Sequence, residues 1–320
     1  MPLILAIDQG TTATKALAVD QDRTIVARAA QPTPLHHPEP GWAENDPGEV
    51  LDATAQAVQD VLDQVDPGEI QAIGITNQRE TTAAWSPAGD PLGPAVSWQC
   101  RRTEPLCQRL RERDGTVELV RARTGLVIDP YFSATKMAWL LANVKAVEQA
   151  EQRGELLFGT MDTLLIHALT GEHATDPSNA SRTMAYDIHA GAWDGELLSL
   201  MDLPAEALPE VCPSSGTFGT VTPDTPLGAR LPELQGIPIT GVAGDQQASL
   251  FGHGCLTPGE ATGTLGTGAF FLVNTGQDAL EPKQGVLATV AWDLGDGPTY
   301  ALEGAAFACG SALEWATDIG

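Results

Sequence analysis

The chain reads as an α/β protein built from two related halves, and three observations predict it. Short apolar runs of strand length alternate with segments whose apolar residues fall at helical spacing. A glycine–threonine turn follows the first strand at Gly10-Thr11-Thr12, and a second lies far downstream at Gly266-Thr267-Gly268. The opening plan of strand, turn and returning strand recurs from Glu260 onward, a weak internal echo. A chain of 320 residues, 42% of them hydrophobic, has room for two domains at roughly 100–200 residues each. The boundary is expected near residues 244–258, giving one unit over 1–250 and another over 251–320.

Leu3 to Ile7 reads as a buried strand, Lys15 to Val19 as its return and Thr24 to Ala29 as a third, so the fold opens on an antiparallel meander. Asp46-Pro47-Gly48-Glu49 carries an N-cap acid, a proline at the first helical position and a glutamate at the capping-box position. The helix it starts has Val50, Ala57, Val58, Val61, Leu62 and Val65 on one stripe, and Ile70 to Ile75 is the next buried strand. Leu156 to Phe158 reads as a strand, with Asp162 as cap of a helix running through Leu169 that Gly171 ends. Pro204 to Pro238 is rich in proline, glycine and short polar residues and reads as an irregular excursion before the strand Ile237 to Val242. Glu260 to Leu265 and Ala269 to Val273 then form the second hairpin.

Composition excludes several functions. The net charge of −25 arises as much from scarce bases as from many acids, since lysine occurs only at Lys15, Lys136, Lys145 and Lys283. Nucleic acid is therefore not an expected partner: Arg101-Arg102 with Arg109, Arg111 and Arg113 is short, interleaved with acids, and reads as a solvated helix face. The acidity suits a salty cytoplasm and an ordinary acidic soluble protein alike. No apolar run is long enough for a membrane span, and Met1 to Asp8 lacks a basic leader, so the cytoplasm is the expected compartment. Five scattered cysteines form no C-x-x-C pair and read as reduced thiols, and the sequon Asn179-Ala180-Ser181 as accidental.

Four segments carry the chemistry. A strand ending in Asp8-Gln9-Gly10-Thr11-Thr12 offers a close backbone approach at Gly10 and hydroxyl and amide donors at Thr11 and Thr12, which suits a polyphosphate. Asp8 would hold Mg²⁺, because that cation needs only one or two carboxylates beside phosphate oxygens. Gly266-Thr267-Gly268 repeats the pattern, and two facing hairpins could clamp a phosphate chain; no P-loop occurs. Arg79-Glu80 follows a strand, with arginine to donate and glutamate to accept, as the vicinal hydroxyls of a small polyol require. Trp98, Tyr131 and Phe270 could wall the carbon skeleton. Asp245 reads as a general base that takes the proton of an attacking hydroxyl, with Gln246 orienting its neighbour. A plain turn, a surface ion pair and a helix-start aspartate remain the bland readings of these segments taken singly.

Together the segments resemble the sugar and polyol kinases of the actin-like ATPase superfamily, whose fold is ribonuclease H-like. The matching stretches include Ala6 to Thr12, Ile73 to Thr82, Trp98 to Thr103, Thr124 to Ser133, Asn179 to Met184 and Ala243 to Ala248. Asn77-Gln78-Arg79-Glu80-Thr81-Thr82 and Trp98-Gln99-Cys100-Arg101-Arg102-Thr103 are more typical of the glycerol-phosphorylating branch than of xylulose, gluconate or ribulose kinases. The resemblance implies ATP-dependent phosphorylation of glycerol to sn-glycerol 3-phosphate, leaving ADP. Arg79, Glu80, Trp98, Tyr131, Asp245, Gln246 and Phe270 would line the glycerol site. Thr11, Thr12, Ala13, Lys15, Thr267, Gly310 and Glu314 would face the nucleotide, with Asp8 on Mg²⁺. A homo-oligomer is compatible with it.

Three departures stand out. Ala13 and Lys15 replace the family's usual serine and arginine, removing a hydroxyl and turning a bidentate cation into a point charge. Nothing before Ile237 matches the glycine–arginine loop that binds fructose 1,6-bisphosphate in some members. Family members also continue well past Gly320, so the second unit is expected to be incomplete.

Overall fold

The core of the first half is a five-stranded sheet in the order Ile239–Gly244, Ile70–Asn77, Leu3–Gln9, Ala13–Asp20, Ile25–Pro32. It is seen in a computed structural model that describes residues 1–265, 269–283, 285–306 and 316–317. The first three strands run parallel and the last two return antiparallel, so the expected opening meander is one edge of a mixed sheet. Within Ala13–Asp20 the inward positions are Ala16 and Ala18, while Leu17 and Val19 face the other side. Small inward residues leave room for the helix Pro47–Leu62 to lie close on the sheet. That helix starts as its sequence prescribes: the Asp46 carboxylate accepts from Gly48 N at 2.7 Å and Glu49 N at 3.2 Å. Val50, Ala57, Val58, Val61 and Leu62 are buried against Leu3, Leu5, Ile7 and Ile73, each large side chain contributing roughly 1.5–3 kcal/mol.

The expected strand at Leu156 to Phe158 spans Leu157–Thr160 and joins an antiparallel sheet with Thr82–Trp85, Ala95–Val96 and Glu44–Asn45. The next helix, Met161–Thr170, ends at Gly171 with φ 81°, as expected, but Asp162 is not its cap. Thr160 takes the N-cap position, and Asp162, one residue into the helix, is drawn inward to accept from Thr160 Oγ1 at 2.5 Å and Thr175 Oγ1 at 2.6 Å. A second apolar cluster, around Phe132, Met137 and Phe158, fills the space beneath the helices Glu104–Glu112, Thr116–Thr124, Ser133–Asn143 and Lys145–Gln152. The basic run is not simply a solvated face. Arg102 is buried, paired with Glu44, and its guanidinium lies 4.0 Å from the Trp42 ring centre and 4.7 Å from that of Trp139.

Pro204 to Pro238 is irregular apart from two 3₁₀ turns and a two-residue strand, and the strand after it begins at Ile239. The second half contributes an antiparallel sheet in the order Ala261–Leu265, Ala269–Gly276, Pro298–Ala306, Leu287–Asp293. Its Ala288, Val290 and Tyr300 pack on Ala180, Tyr186 and Ile188 of the first half. The second hairpin is thus present, while Thr267 in its turn, Gly310 and Glu314 lie outside the described residues. No helix among the described residues is long and apolar enough to cross a membrane. Asn179 of the sequon is fully buried, with both ends of its amide hydrogen-bonded.

Candidate active site

Strand register decides where the chemistry gathers. Gln9 pairs with Asn77, and Asn77 with Gly244, so the three parallel strands end in one row. The residues that follow, Gly10-Thr11, Gln78-Arg79-Glu80 and Asp245-Gln246, leave the sheet together at its carboxyl edge. Hydrogen bonds lock the row. Gln78 N donates to Gln9 O at 2.7 Å, Gln78 Nε2 donates to Gln9 Oε1 at 3.1 Å, and Gly244 N donates to Ser178 Oγ at 2.9 Å. Gly244 is required here, since a Cβ would meet Arg79 Cγ and Cδ at 2.8 Å. Glu80 holds φ 63°, a left-handed conformation that costs a non-glycine residue free energy. Its carbonyl is pinned by Ser133 Oγ at 3.1 Å and Thr82 Oγ1 at 3.0 Å.

A cavity of about 50 Å³ opens at this row, walled by Thr11, Gln78, Arg79, Glu80, Trp98, Tyr131, Asp245, Gln246 and Phe270. The seven side chains expected to contact a polyol therefore converge on one space, although they come from five separate segments. Three aromatic rings make its apolar wall: Trp98 stands edge-on to Tyr131 at 5.9 Å and to Phe270 at 6.1 Å. The indole N–H of Trp98 donates to Thr11 Oγ1 at 2.9 Å. A larger groove of about 380 Å³ lies on the other face of the sheet, but it is lined by Ala6, Gly74, Gly241, Phe251, Trp292 and similar groups without a single charged side chain.

Charge is concentrated beneath the small cavity. Arg79 is buried; its Nη1 donates to Glu303 and, at 3.3 Å, to Gln247 Oε1, while Nη2 donates to Tyr131 Oη at 3.4 Å. Its Nε lies 3.3 Å from Asp245 Oδ1 and 3.9 Å from Glu80 Oε1. Arg182, also buried, donates through Nε to Glu80 at 2.6 Å and through Nη2 to Glu303 Oε1 at 2.8 Å. Arg79-Glu80 is therefore not an exposed ion pair but half of an interior lattice. Neither Arg182 nor Glu303 stands out in the sequence as a site residue; the available signal is a lone acid inside the apolar strand Pro298–Ala306.

Asp245 opens the helix Asp245–Gly252, and its side chain is 40% exposed toward the cavity. Burial by the surrounding protein pushes its pKa up to about 6, against the pull of the Arg79 guanidinium and with a further push from Glu80. Gln246 N and Nε2 donate to its two oxygens at 2.7 and 3.3 Å, and Gln246 Oε1 is buried without a partner among the described residues. Such an acceptor awaits a donor. The first hairpin stands at the rim: Thr12 and Lys15 are exposed and Ala13 half-buried, none of them lining the cavity. Lys15 Nζ donates to Asp8 Oδ2 at 3.1 Å.

Residues 3–252 match the N-terminal domain of the FGGY family of carbohydrate kinases. The chain is 50% identical to the glycerol kinase of Halorhodospira halophila and 48% identical to that of Carboxydothermus hydrogenoformans. Each match covers 98% of this chain, but only 62% and 63% of those proteins. Among solved structures, Plasmodium falciparum glycerol kinase with ADP superposes with a TM-score of 0.91 at 34% identity, over 98% of this chain and 63% of that one. A xylulose kinase from Brucella ovis superposes with a TM-score of 0.86 at 27% identity, over 99% and 63%. The fold is that of the actin-like ATPase sugar kinases, and the chain spans under two thirds of the length of these relatives. With both its sequence and its strand plan accounted for, this chain belongs to the FGGY family of carbohydrate kinases.

Proposed function

We propose that the cavity binds glycerol and that the chain carries the acceptor site of an ATP-dependent glycerol kinase. The observation that supports this most is the convergence of Asp245, the unpartnered Gln246 Oε1 and the Arg79–Glu80 pair around one small cavity. The names and closeness of the relatives support glycerol over other polyols. On this reading a terminal hydroxyl of glycerol attacks the γ-phosphorus of ATP, its proton passes to Asp245, and the bond to the ADP oxygen breaks. Gln246 accepts from a neighbouring hydroxyl, and Arg79 and Glu80 orient the remaining ones. A base with a pKa near 6 is ionised at neutral pH yet more basic than an ordinary carboxylate.

Thr11, Thr12, Ala13 and Lys15 would face the phosphates from the first hairpin, and Thr267, Gly310 and Glu314 from the second half. Asp8 fits a single Mg²⁺ carboxylate: it is partly exposed and paired with the exposed Lys15, and no group of three or more potential ligands occurs among the described residues. Bound there, Mg²⁺ would neutralise developing phosphate charge. We assign the first hairpin and all of the pocket wall but Phe270 to a domain over 1–250, and Phe270 with the second hairpin to one over 251–320.

Thermal denaturation with and without glycerol tests the pocket, and glycerol-dependent ADP release with Mg²⁺ and ATP tests transfer. Stabilisation by glycerol but not by xylulose or gluconate is expected. A folded chain indifferent to glycerol would end the proposal. Stabilisation without ADP release would support a second reading, a glycerol-binding unit.

A further inference from the structure

The lattice under the cavity contains an acid that belongs to the other half of the molecule. Glu303 sits on Pro298–Ala306, yet its carboxylate is fully buried beside Arg79 and Arg182. One oxygen accepts from Arg79 Nη1 and the other from Arg182 Nη2. Arg182 in turn holds Glu80, whose carboxylate lies 3.9 Å from Arg79 Nε. Arg79, Glu303, Arg182 and Glu80 thus close a ring of alternating charge; Glu80 and Asp245 both line the cavity, and of these two Asp245 is the more exposed toward it.

We propose that Glu303 is a positioning residue for Asp245: by holding the Arg79 guanidinium from the second half, it keeps that cation from closing on the carboxylate meant for the substrate hydroxyl. This rests on the reading of the cavity as a polyol site. Arg79 carries five N–H donors in a rigid fork and must satisfy them in a buried setting. Its hydrogen bonds now go to Glu303, Gln247 and Tyr131, while the approach to Asp245 is a charge contact at 3.3 Å. Without Glu303 the carboxylates within reach among the described residues are Glu80, already bonded to Arg182, and Asp245. The fork would turn to Asp245, occupy its oxygens and favour its charged form.

The groups that could compete are few. Arg79 and Glu80 face Asp245 from the loop after Ile70–Asn77, and Gln246 from its own helix. Arg182, Tyr131 and Glu303 stand behind them, and Lys136 is committed to the carbonyl oxygens of Tyr131 and Phe132. Glu303 is thereby a link between the halves: the second sheet must be docked for the base to be free.

The test measures glycerol affinity of the 320-residue chain by calorimetry from pH 5 to 8, comparing the parent with Glu303→Gln. In the parent, affinity should fall with acid around pH 6, following Asp245. The variant is expected to lose roughly tenfold in affinity, the scale of a charged hydrogen bond, and to show its midpoint at lower pH. Equal affinity and midpoint in a variant with a parent-like circular dichroism spectrum overturn the role. Loss of affinity with an unmoved midpoint overturns it too, since that is what a merely structural part would give. Should Glu303→Gln not fold, Glu303→Asp keeps the charge but shortens the reach, and is judged by the same two readouts. A parent chain that binds no glycerol overturns the pocket reading and this inference together; a binding parent with an unaffected variant overturns only this one.

Discussion

Two clusters of buried carboxylates meet the strand ends Asn77 and Gly244, and different chemistry holds each. Asp162 and Asp176 accept hydrogen bonds from neutral groups: Thr160, Thr175 and Asn77 for the first, Ser178, Asn179 and Ser214 for the second. Burial dominates there, raising Asp176 and pushing Asp162 up to about 7. Glu303 is buried as deeply, but Arg182 and Arg79 overcome the desolvation and hold it below the usual carboxylate range. Asp245, touching only one arginine, lands between at about 6. Burial raises all four, and the arginines beside Glu303 and Asp245 pull the other way. The neutral cluster is a scaffold that supports the row of strand ends, and the charged one is a tuned surface facing the cavity.

That contrast can be broken most sharply by removing a cation. Arg182→Met leaves Glu80 and Glu303 short of a partner, and we expect a destabilisation of about 3–5 kcal/mol in urea denaturation; a loss below ~1 kcal/mol would mean that the ring is not held by charge. Next in size, Asp245→Asn should lower glycerol-dependent ADP release by about 10² or more while glycerol binding stays within several-fold. Unchanged turnover would remove Asp245 from the mechanism.

The neutral cluster should answer differently. Because the folded-state pKa of Asp162 is raised, the native state retains a proton between pH 4 and about 7 that the unfolded chain releases. Stability therefore falls as pH rises through that window, by about 1.4 kcal/mol per pH unit from this group. Asp162→Asn should remove this slope from a series of melting curves and cost at most ~1 kcal/mol at pH 7; an unchanged slope would show that another group carries it. The smallest effect is expected at the rim. Gln246→Ala removes one neutral acceptor and should weaken glycerol binding about fivefold, near 1 kcal/mol; no change by calorimetry would place the ligand away from Oε1.

Much of the scaffold was legible because it is locally encoded. The cap at Asp46, the stripe from Val50 to Leu62, the stop at Gly171 and both hairpins rest on contacts within a few residues or on one face of one element. Where a local rule competed with a distant partner it misled. Asp162 resembles a cap until Thr175 and Asn77 claim its oxygens, and Arg102 resembles a surface cation until Trp42 and Trp139 enclose it. Of the candidate site, Arg79, Glu80, Asp245 and Gln246 stood out as polar residues directly after apolar strands. Arg182 and Glu303 did not, because an arginine in a polar string and a glutamate in a strand declare nothing about each other.

Residue order alone determined the elements, the acidic surface and the polar residues carried at the ends of three strands, since propensity, patterning and capping act over one or two turns of chain. The tertiary structure decided the rest. Strand order brought Gln9, Asn77 and Gly244 into one row. Docking of the second sheet brought Glu303 to Arg79, 224 positions away in the chain. Whether a buried carboxylate is charged depends on which cation reaches it through a low-dielectric interior, and that is a property of the packed molecule.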